Sequence, residues 1–220
     1  LREGIGFKEV IDLSVPLKSL DTPVFPGHPQ PLRSTFTTIE DQGYLSYVWM
    51  FVEHASTHLD APVHFYSGAP SVDEISLSKC VGQGVVLDFS NKPPNHSISR
   101  EDLMGALRGK VTGDGAILLF YTGYTAKSRT PQWMDHLELS EEACSFVVEK
   151  RFNAVGFDAP SADHPPFPAH KFLLPKSVYI YENLSNLDKL IGKEFLFVGA
   201  PLALSGGSGS PVRAFALVYQ

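Results

Sequence analysis

Ala116-Ile-Leu-Leu-Phe-Tyr121 is the run that decides the fold class. It is apolar throughout and leads into Thr122-Gly123. A short run of that kind bounded by a turn signal reads as a buried strand. Ser140 follows as a helix cap, with Ala143, Phe146, Val147 and Arg151 at helical spacing, so a helix is expected from Ser140 to about Arg151. Ala154-Val-Gly-Phe-Asp158 then reads as the next strand. Upstream, Gly84 to Phe89 (G-V-V-L-D-F) repeats the buried-strand pattern. Ser99 before Arg100-Glu101-Asp102 reads as a helix N-cap, with the helix running to about Leu107 and Gly109 ending it. Strand, helix, strand, helix, strand in that order means an α/β protein with some parallel pairing.

Further β-rich runs flank this centre: Val10–Leu17, Arg33–Ile39, Tyr44–Val52, Ser177–Tyr181, Phe195–Ala203 and Val212–Tyr219. Asp21–Pro31, with four prolines and a glycine, and Pro160–Pro168 are rigid loops. Ser71–Leu77 reads as a short turn or helix, and His170–Leu174 as a short helical turn before Pro175. No internal repeat, low-complexity segment or linker divides the chain, so residues 1–220 are expected to form one domain.

Composition narrows the function. The 220 residues are 43% hydrophobic and 19% charged, an ordinary globular balance. Net charge is −6, and the densest basic stretch is only Lys127–Arg129. Neither nucleic acid nor a membrane is expected as a partner. No apolar run reaches the ~18–20 residues that span a bilayer. The opening L-R-E-G-I-G-F-K has no signal-peptide pattern, but it also lacks an initiator Met, which leaves an upstream segment open; a cytoplasmic location is the working expectation. Cys80 and Cys144 are expected to be buried free thiols. Asn95 and Asn183 each open an Asn-x-Ser triplet, the second in an apolar context expected to be buried.

The chemistry concentrates in His54–Phe65, H-A-S-T-H-L-D-A-P-V-H-F. Three of the chain's eight histidines fall here, at His54, His58 and His64, together with Asp60. Imidazole nitrogen and carboxylate oxygen suit zinc, manganese or iron. Four extended residues span roughly 13 Å, too far for donors that share one cation. A turn carrying His54 and His58 is therefore expected after a strand ending near Glu53, then an extended run from Asp60 to His64, since Pro62 excludes a long helix. A carboxylate has two oxygens and can bridge two cations, whereas a neutral imidazole has one free lone pair, which favours carboxylates as bridges.

This stretch resembles the signature H-x-G-T-H-x-D-x-P-x-H of the cyclase family of metal-dependent hydrolases, which includes bacterial-type kynurenine formamidases and isatin hydrolases. His54, Thr57, His58, Asp60, Pro62 and His64 match it, while Ser56 stands at the family glycine. A serine fits such a turn if its φ is negative. Thr22–Gly27 (T-P-V-F-P-G) is similar to a family loop in which formamidases carry a substrate-contacting tryptophan at the Phe25 position. A-H-K-F-L-L and Y-I-Y-E-N-L resemble a second ligand pair, His170 and, twelve residues on, Glu182. The tail Gly206–Arg213 is also similar.

The resemblance implies a compact β/α/β (swivelling-domain-like) fold with a mixed, barrel-like sheet, and a homodimer or tetramer. It implies that His54, His58 and Asp60 bind one divalent ion, zinc or manganese, and that Asp60, His170 and Glu182 bind a second. His64 would be the general acid/base of a hydrolase that opens an amide or formamide C–N bond of an aryl or cyclic small molecule, with Phe25 against the substrate; a non-catalytic protein that binds metal or a small acid is the alternative. By residue type alone, Phe65 joins Phe25 as a candidate for the substrate wall. His164 competes with His170 as the later ligand, but spacing to Glu182 favours His170. His96 and His136 read as surface residues; His28 reads as an exposed loop histidine, with a place in the pocket lining as its alternative. Tyr44 and Trp49 are further candidates for an aromatic pocket wall, and Gly206–Ser210 is either an oxyanion loop or a plain hairpin turn.

Overall fold

A strand whose residues are all apolar needs cover on both faces of its sheet, and the Ile117–Tyr121 strand finds it. The computed structural model describes residues 6–110 and 114–220. Leu1–Ile5, where the stretch read for a leader begins, lie outside the described residues, as do residues 111–113. The strands are β1 (Phe7–Asp12), β2 (Leu32–Thr37), β3 (Ser46–Met50), β4 (His58–Asp60), β5 (Val81–Asp88), β6 (Ser97–Ile98), β7 (Ile117–Tyr121), β8 (Glu138–Leu139), β9 (Ala154–Phe157), β10 (Tyr179–Glu182), β11 (Phe195–Val198), β12 (Gly209–Pro211) and β13 (Phe215–Tyr219). The helices are α1 (Ile39–Gln42), α2 (Arg100–Ala106), α3 (Glu141–Glu149) and α4 (Pro168–Leu173).

Nine strands form one mixed sheet in the order β1-β13-β11-β5-β7-β9-β10-β4-β12, curled into a half-barrel. Its centre, β5-β7-β9-β10, is parallel. Each parallel step returns through one of α2, α3 and α4, the crossover that parallel pairing requires. Alternation along β7 divides its side chains between two cores: Leu118 and Phe120 face α2, α3 and α4, while Ile117 and Leu119 face Leu59, Tyr181 and Phe197. Cys80 and Cys144 are both buried and unpaired. Among the described residues, no helix is long and apolar enough to cross a membrane.

Several boundaries differ from the sequence reading. The first strand is Phe7–Asp12 rather than Val10–Leu17, because Ser14 onward turns to bond Thr57 and the tail instead of a neighbouring strand. The helix after Ser140 stops at Glu149, and Arg151 adopts a left-handed φ of 57° instead of joining the buried face. The β-rich runs at 33–39 and 44–52 do not join the main sheet, but form a separate two-stranded ribbon, β2–β3.

The cap at Ser99 is a full capping box: its hydroxyl accepts from Asp102 N–H, and the Asp102 carboxylate accepts from Ser99 N–H. Burial alone would raise the Asp102 pKa, but the Lys92 ammonium, the Ser99 amide and His96 outweigh it and hold the carboxyl well below its ordinary 3.8. A depressed carboxyl stabilises the fold above its unfolded value and loses that contribution as pH falls through the folded one. Ser99→Ala is expected to cost about 1 kcal/mol in urea unfolding. Asp102→Asn is expected to flatten the fall in stability below pH ~4.

Candidate metal centre

Strand β4 is the floor of the site. It lies between β10 and β12, with His58 opposite Glu182 and Asp60 opposite Gly209. His58 and Asp60 are two residues apart and so project from one face of the strand, with Glu182 beside them. The chain then turns at once: Pro62–His64 is a 3-10 helix, not the extended run expected, because Pro62 supplies a helical φ at its first position. That turn brings the His64 ring back over His54, with centroids 4.0 Å apart. His170 arrives from α4, whose first amides are anchored on Asp163: Ala169 N–H and His170 N–H both donate to Asp163 Oδ2.

The donor atoms converge. Asp60 Oδ1 lies 2.7 Å from His54 Nδ1 and 3.4 Å from His58 Nε2. Asp60 Oδ2 lies 3.1 Å from His170 Nε2. Glu182 reaches both sides, with Oε2 3.3 Å from His58 Nε2 and Oε1 3.2 Å from His170 Nε2. These separations match the donor-to-donor distances that bonds of roughly 2.0–2.2 Å to a shared cation produce. Two groups can hold a cation, His54–His58–Asp60 and Asp60–His170–Glu182, and all five residues are buried.

A second hydrogen bond directs each imidazole. His54 Nε2–H donates to Ser208 Oγ at 2.9 Å, and that hydroxyl donates to Glu53 Oε2 at 2.6 Å. His58 Nδ1–H donates to the Ser56 carbonyl at 2.8 Å. His170 Nδ1–H donates to Asp163 Oδ1 at 2.7 Å. Ligating histidines are normally oriented by such an outer bond. The nitrogens left over are the three that face the carboxylates. His58 Nε2 is buried and has no hydrogen-bond partner, a costly state unless a cation accepts its lone pair. The residues present therefore fit a divalent ion.

Electrostatics agree. Burial opposes charge on His58, yet Asp60 and Glu182 override it and raise its pKa to about 10. His170 is raised well above its ordinary value against the same burial, by Asp163, Asp60 and Glu182. Burial would raise the carboxyls, but the histidines hold Asp60 well below the carboxylate range and Glu182 at about 2. The nest favours positive charge, which protons supply when no metal does. His64 behaves oppositely: burial lowers it to about 4, so its ring is neutral at pH 7.

Ser56 carries φ of +61°, not the negative value expected of a serine. The left-handed turn aims its carbonyl at His58 Nδ1 and at Asn183 Nδ2, and its hydroxyl donates to Val15 O at 2.6 Å. Glycine would relieve the strain but lose that last bond, each worth about 1 kcal/mol. Ser56→Gly is therefore expected to unfold within about 1 kcal/mol of the parent. Ser56→Val, a β-branched residue at positive φ, is expected to lose at least ~2 kcal/mol by the same assay. The tail is fitted to this turn by Gly209, where a Cβ would stand 2.6 Å from His54 Cε1.

Above the ligands lies a cavity of about 310 Å³. Phe25, Phe65 and Phe167 form its aromatic wall, with Phe65 and Phe167 centroids 5.7 Å apart and Phe25 and Phe167 6.3 Å apart. Phe25 and Phe65, the two residues expected against the substrate, line this cavity, and so does Phe167, in a left-handed conformation after two prolines, for which the sequence carries no such expectation. His28 also lines the cavity rather than standing free on the surface. Tyr44 and Trp49 do not line it, because they belong to the β2–β3 ribbon and its tip. His136 is fully buried, not a surface residue; it stacks on His164, whose Nε2–H donates to the His136 carbonyl. His164 is thus outside the cluster. His96 is partly buried against Asp102. Gly206–Ser210 is neither free loop nor simple hairpin: Ser208 bonds His54, and Gly209–Pro211 pairs with β4. Asp163, Ser208 and Glu53 went unnoticed in the sequence; the one available signal was the place of Asp163 beside His164, in D-H-P-P.

The chain is similar to a kynurenine formamidase of Bacillus anthracis, 29% identical over 208 residues that cover 93% of this chain and 95% of the relative. It is 30% identical over 208 residues to an isatin hydrolase of Roseibium aggregatum, covering 81% of this chain and 77% of that one. A solved structure of isatin hydrolase A from Labrenzia aggregata, bound to benzyl benzoate, superposes with a TM-score of 0.87 at 27% identity, over 96% of this chain and 94% of that one. A family model described as "Putative cyclase" matches residues 11–164. That span runs from β1 through the loop holding Asp163 and takes in the whole His54–His64 turn, and the chain belongs to the cyclase family.

Proposed function

We propose that the chain is a metal-dependent hydrolase that opens the C–N bond of an amide or formamide on an aryl or cyclic substrate, acting as a single cyclase-like domain. The observation that carries this reading is the convergence of His54 Nδ1, His58 Nε2 and His170 Nε2 on two buried carboxylates beneath an aromatic-walled cavity. His54, His58 and Asp60 would hold one ion, and Asp60, His170 and Glu182 a second, with Asp60 and Glu182 reaching both. The nitrogen and oxygen donor set suits zinc or manganese. A bound divalent ion supplies positive charge that polarises a carbonyl oxygen and makes water acidic enough to attack at neutral pH.

The chain's own residues do the rest. His64 is neutral and stacked over His54, so it faces the reacting centre as a proton acceptor. It takes the proton released when water adds to the carbonyl carbon, then returns it to the departing nitrogen as the C–N bond breaks. The products are a carboxylic acid and an amine, or one ring-opened amino acid from a cyclic amide. Phe25, Phe65 and Phe167 offer flat apolar faces to an aryl ring and exclude water around it.

N-formylkynurenine-type arylformamides are the first substrate class, supported by the Bacillus relative's name. Isatin-type cyclic amides, and lactones by the same chemistry, are the second, supported by the Roseibium relative. Assaying both on protein of known zinc and manganese content separates them. Turnover of the arylformamide with a higher kcat/KM than the cyclic amide supports the first reading. Turnover of neither by metal-loaded protein would sink the proposal.

A further inference from the structure

Three polar side chains line the cavity without belonging to either cation group or to the proton transfer: His28, Ser161 and Asn183. Asn183 turns its amide nitrogen to the Ser56 carbonyl at 3.1 Å, and Ser161 Oγ accepts from Asp163 N–H at 3.4 Å; both residues are buried. His28 differs. Its Nδ1 is buried and has no hydrogen-bond partner, so Nε2 is the ring nitrogen that a molecule in the cavity can reach. A buried N–H without an acceptor is rarer and costlier than a buried lone pair. The neutral ring therefore keeps its proton on Nε2 and presents a donor to the cavity. The loop fixes that donor in place. Gly27, at φ of 94°, makes the turn, and His28 N–H donates to the Phe25 carbonyl at 3.0 Å. Two bonds between Thr22 and Gln30, each 3.0 Å, close the root of the loop. The His28 ring thus stands beside Phe25, with centroids 6.0 Å apart, at the edge of the aromatic wall.

We propose that His28 is a specificity-determining residue, whose Nε2–H donates to a second carbonyl oxygen of the substrate, carried on the ring carbon next to the one that bears the scissile amide nitrogen. The substrate class is then an aryl amide with an ortho-acyl group, open-chain or closed into a ring. This inference rests on the hydrolase reading and deepens it. The amide must sit over the ligands, with its aryl ring against Phe25, Phe65 and Phe167. A bare ring seated there would cover the His28 donor with apolar surface and leave it unpaired, which costs free energy. An acyl oxygen beside the amide nitrogen supplies the missing acceptor. A neutral acceptor also suits the lining better than a carboxylate, since among the described residues no lysine or arginine lines the cavity. The two substrate classes named above share this group: a formylkynurenine-type arylformamide carries a ketone, and an isatin-type amide a ring carbonyl, on the carbon next to the one that bears nitrogen. One donor at His28 would therefore recognise both.

The test compares kcat/KM of the metal-loaded protein on N-(ortho-acetylphenyl)formamide and on N-(ortho-ethylphenyl)formamide, which has similar bulk and no acyl oxygen. The acyl group also changes the intrinsic reactivity of the amide, so the parent's preference is set against that of each variant, where this effect cancels. His28→Phe keeps a flat ring and removes the donor; it is expected to lower the preference for the acyl substrate about tenfold. His28→Gln, whose amide N–H can donate, is expected to keep more of the preference than His28→Phe. A His28→Phe protein with the parent's preference overturns the proposal while leaving the hydrolase reading intact. So does a His28→Gln protein no more selective than His28→Phe. A parent that turns over neither compound overturns the hydrolase reading and this inference with it. Should the variants not fold, calorimetric binding to the parent decides: ortho-aminoacetophenone is expected to bind about tenfold tighter than ortho-ethylaniline. Equal binding of the two overturns the proposal.

Discussion

Asp60→Ala is expected to empty both halves of the metal centre and to abolish turnover. Asp60 is the one residue present in both candidate cation groups, and its two oxygens divide between them: Oδ1 faces His54 and His58, Oδ2 faces His170. Alanine removes a donor from each group and one of the buried carboxylates that, with Glu182 and Asp163, make the nest favour a cation. The loss should exceed the roughly 10²–10³-fold that follows removal of a single electrostatic donor. Asp60→Asn preserves the shape while removing the charge, and should behave much like alanine if charge is what holds the ions. Metal content by mass spectrometry after dialysis, with turnover on the same samples, checks both variants. An Asp60→Ala protein with the parent's metal content would remove the basis of the assignment.

His64→Ala should have a different signature: metal content unchanged, turnover reduced by about 10²–10⁴-fold. His64 lies in the same short stretch as three donors, yet it is in neither cation group. The 3-10 turn after Pro62 carries it above the strand, where its ring stacks on His54 and meets Phe65 edge-on at 4.7 Å. In the proposed mechanism the neutral ring would stand beside the reacting centre rather than in it. The effect should fall on kcat more than on KM, because the proton transfer is needed only once bonds begin to change. Normal turnover in His64→Ala would assign proton transfer elsewhere. Loss of metal instead would make His64 a ligand.

The division between the candidate ligands and His64 was legible in the sequence only in part. Three histidines and an aspartate around Pro62 pointed to a cation site, because few other arrangements need so many imidazoles within eleven residues. The downstream pair His170 and Glu182 came from resemblance, and their convergence on Asp60 requires β10 to lie beside β4, a long-range pairing that local pattern does not encode. The α/β order was readable because β5, β7 and β9 are apolar runs joined by capped helices. The separation of the ribbon was not, since β2 and β3 have the same β-rich composition whether they join a sheet or leave it. Trp49 and Tyr44 were thereby drawn toward the pocket on composition alone.

The outer bonds were the least legible. Asp163, Ser208 and the Ser56 carbonyl act on His170, His54 and His58 through single contacts between segments brought together by folding. Ser56 illustrates the limit. Glycine at that position in the family signals a positive φ, but a serine reads as a change of side chain, when what persists is the backbone angle. His136 was misread for a related reason: one histidine in a polar stretch carries no sign of the ring that will stack on it.

Crystals grown with manganese, with anomalous scattering recorded near its absorption edge, test the two-cation centre directly and without reference to any substrate. Two peaks are expected: one among His54 Nδ1, His58 Nε2 and Asp60, the other among Asp60, His170 Nε2 and Glu182, with His64 outside bonding distance of both. No peak at either position, or a peak bonded to His64, would contradict it.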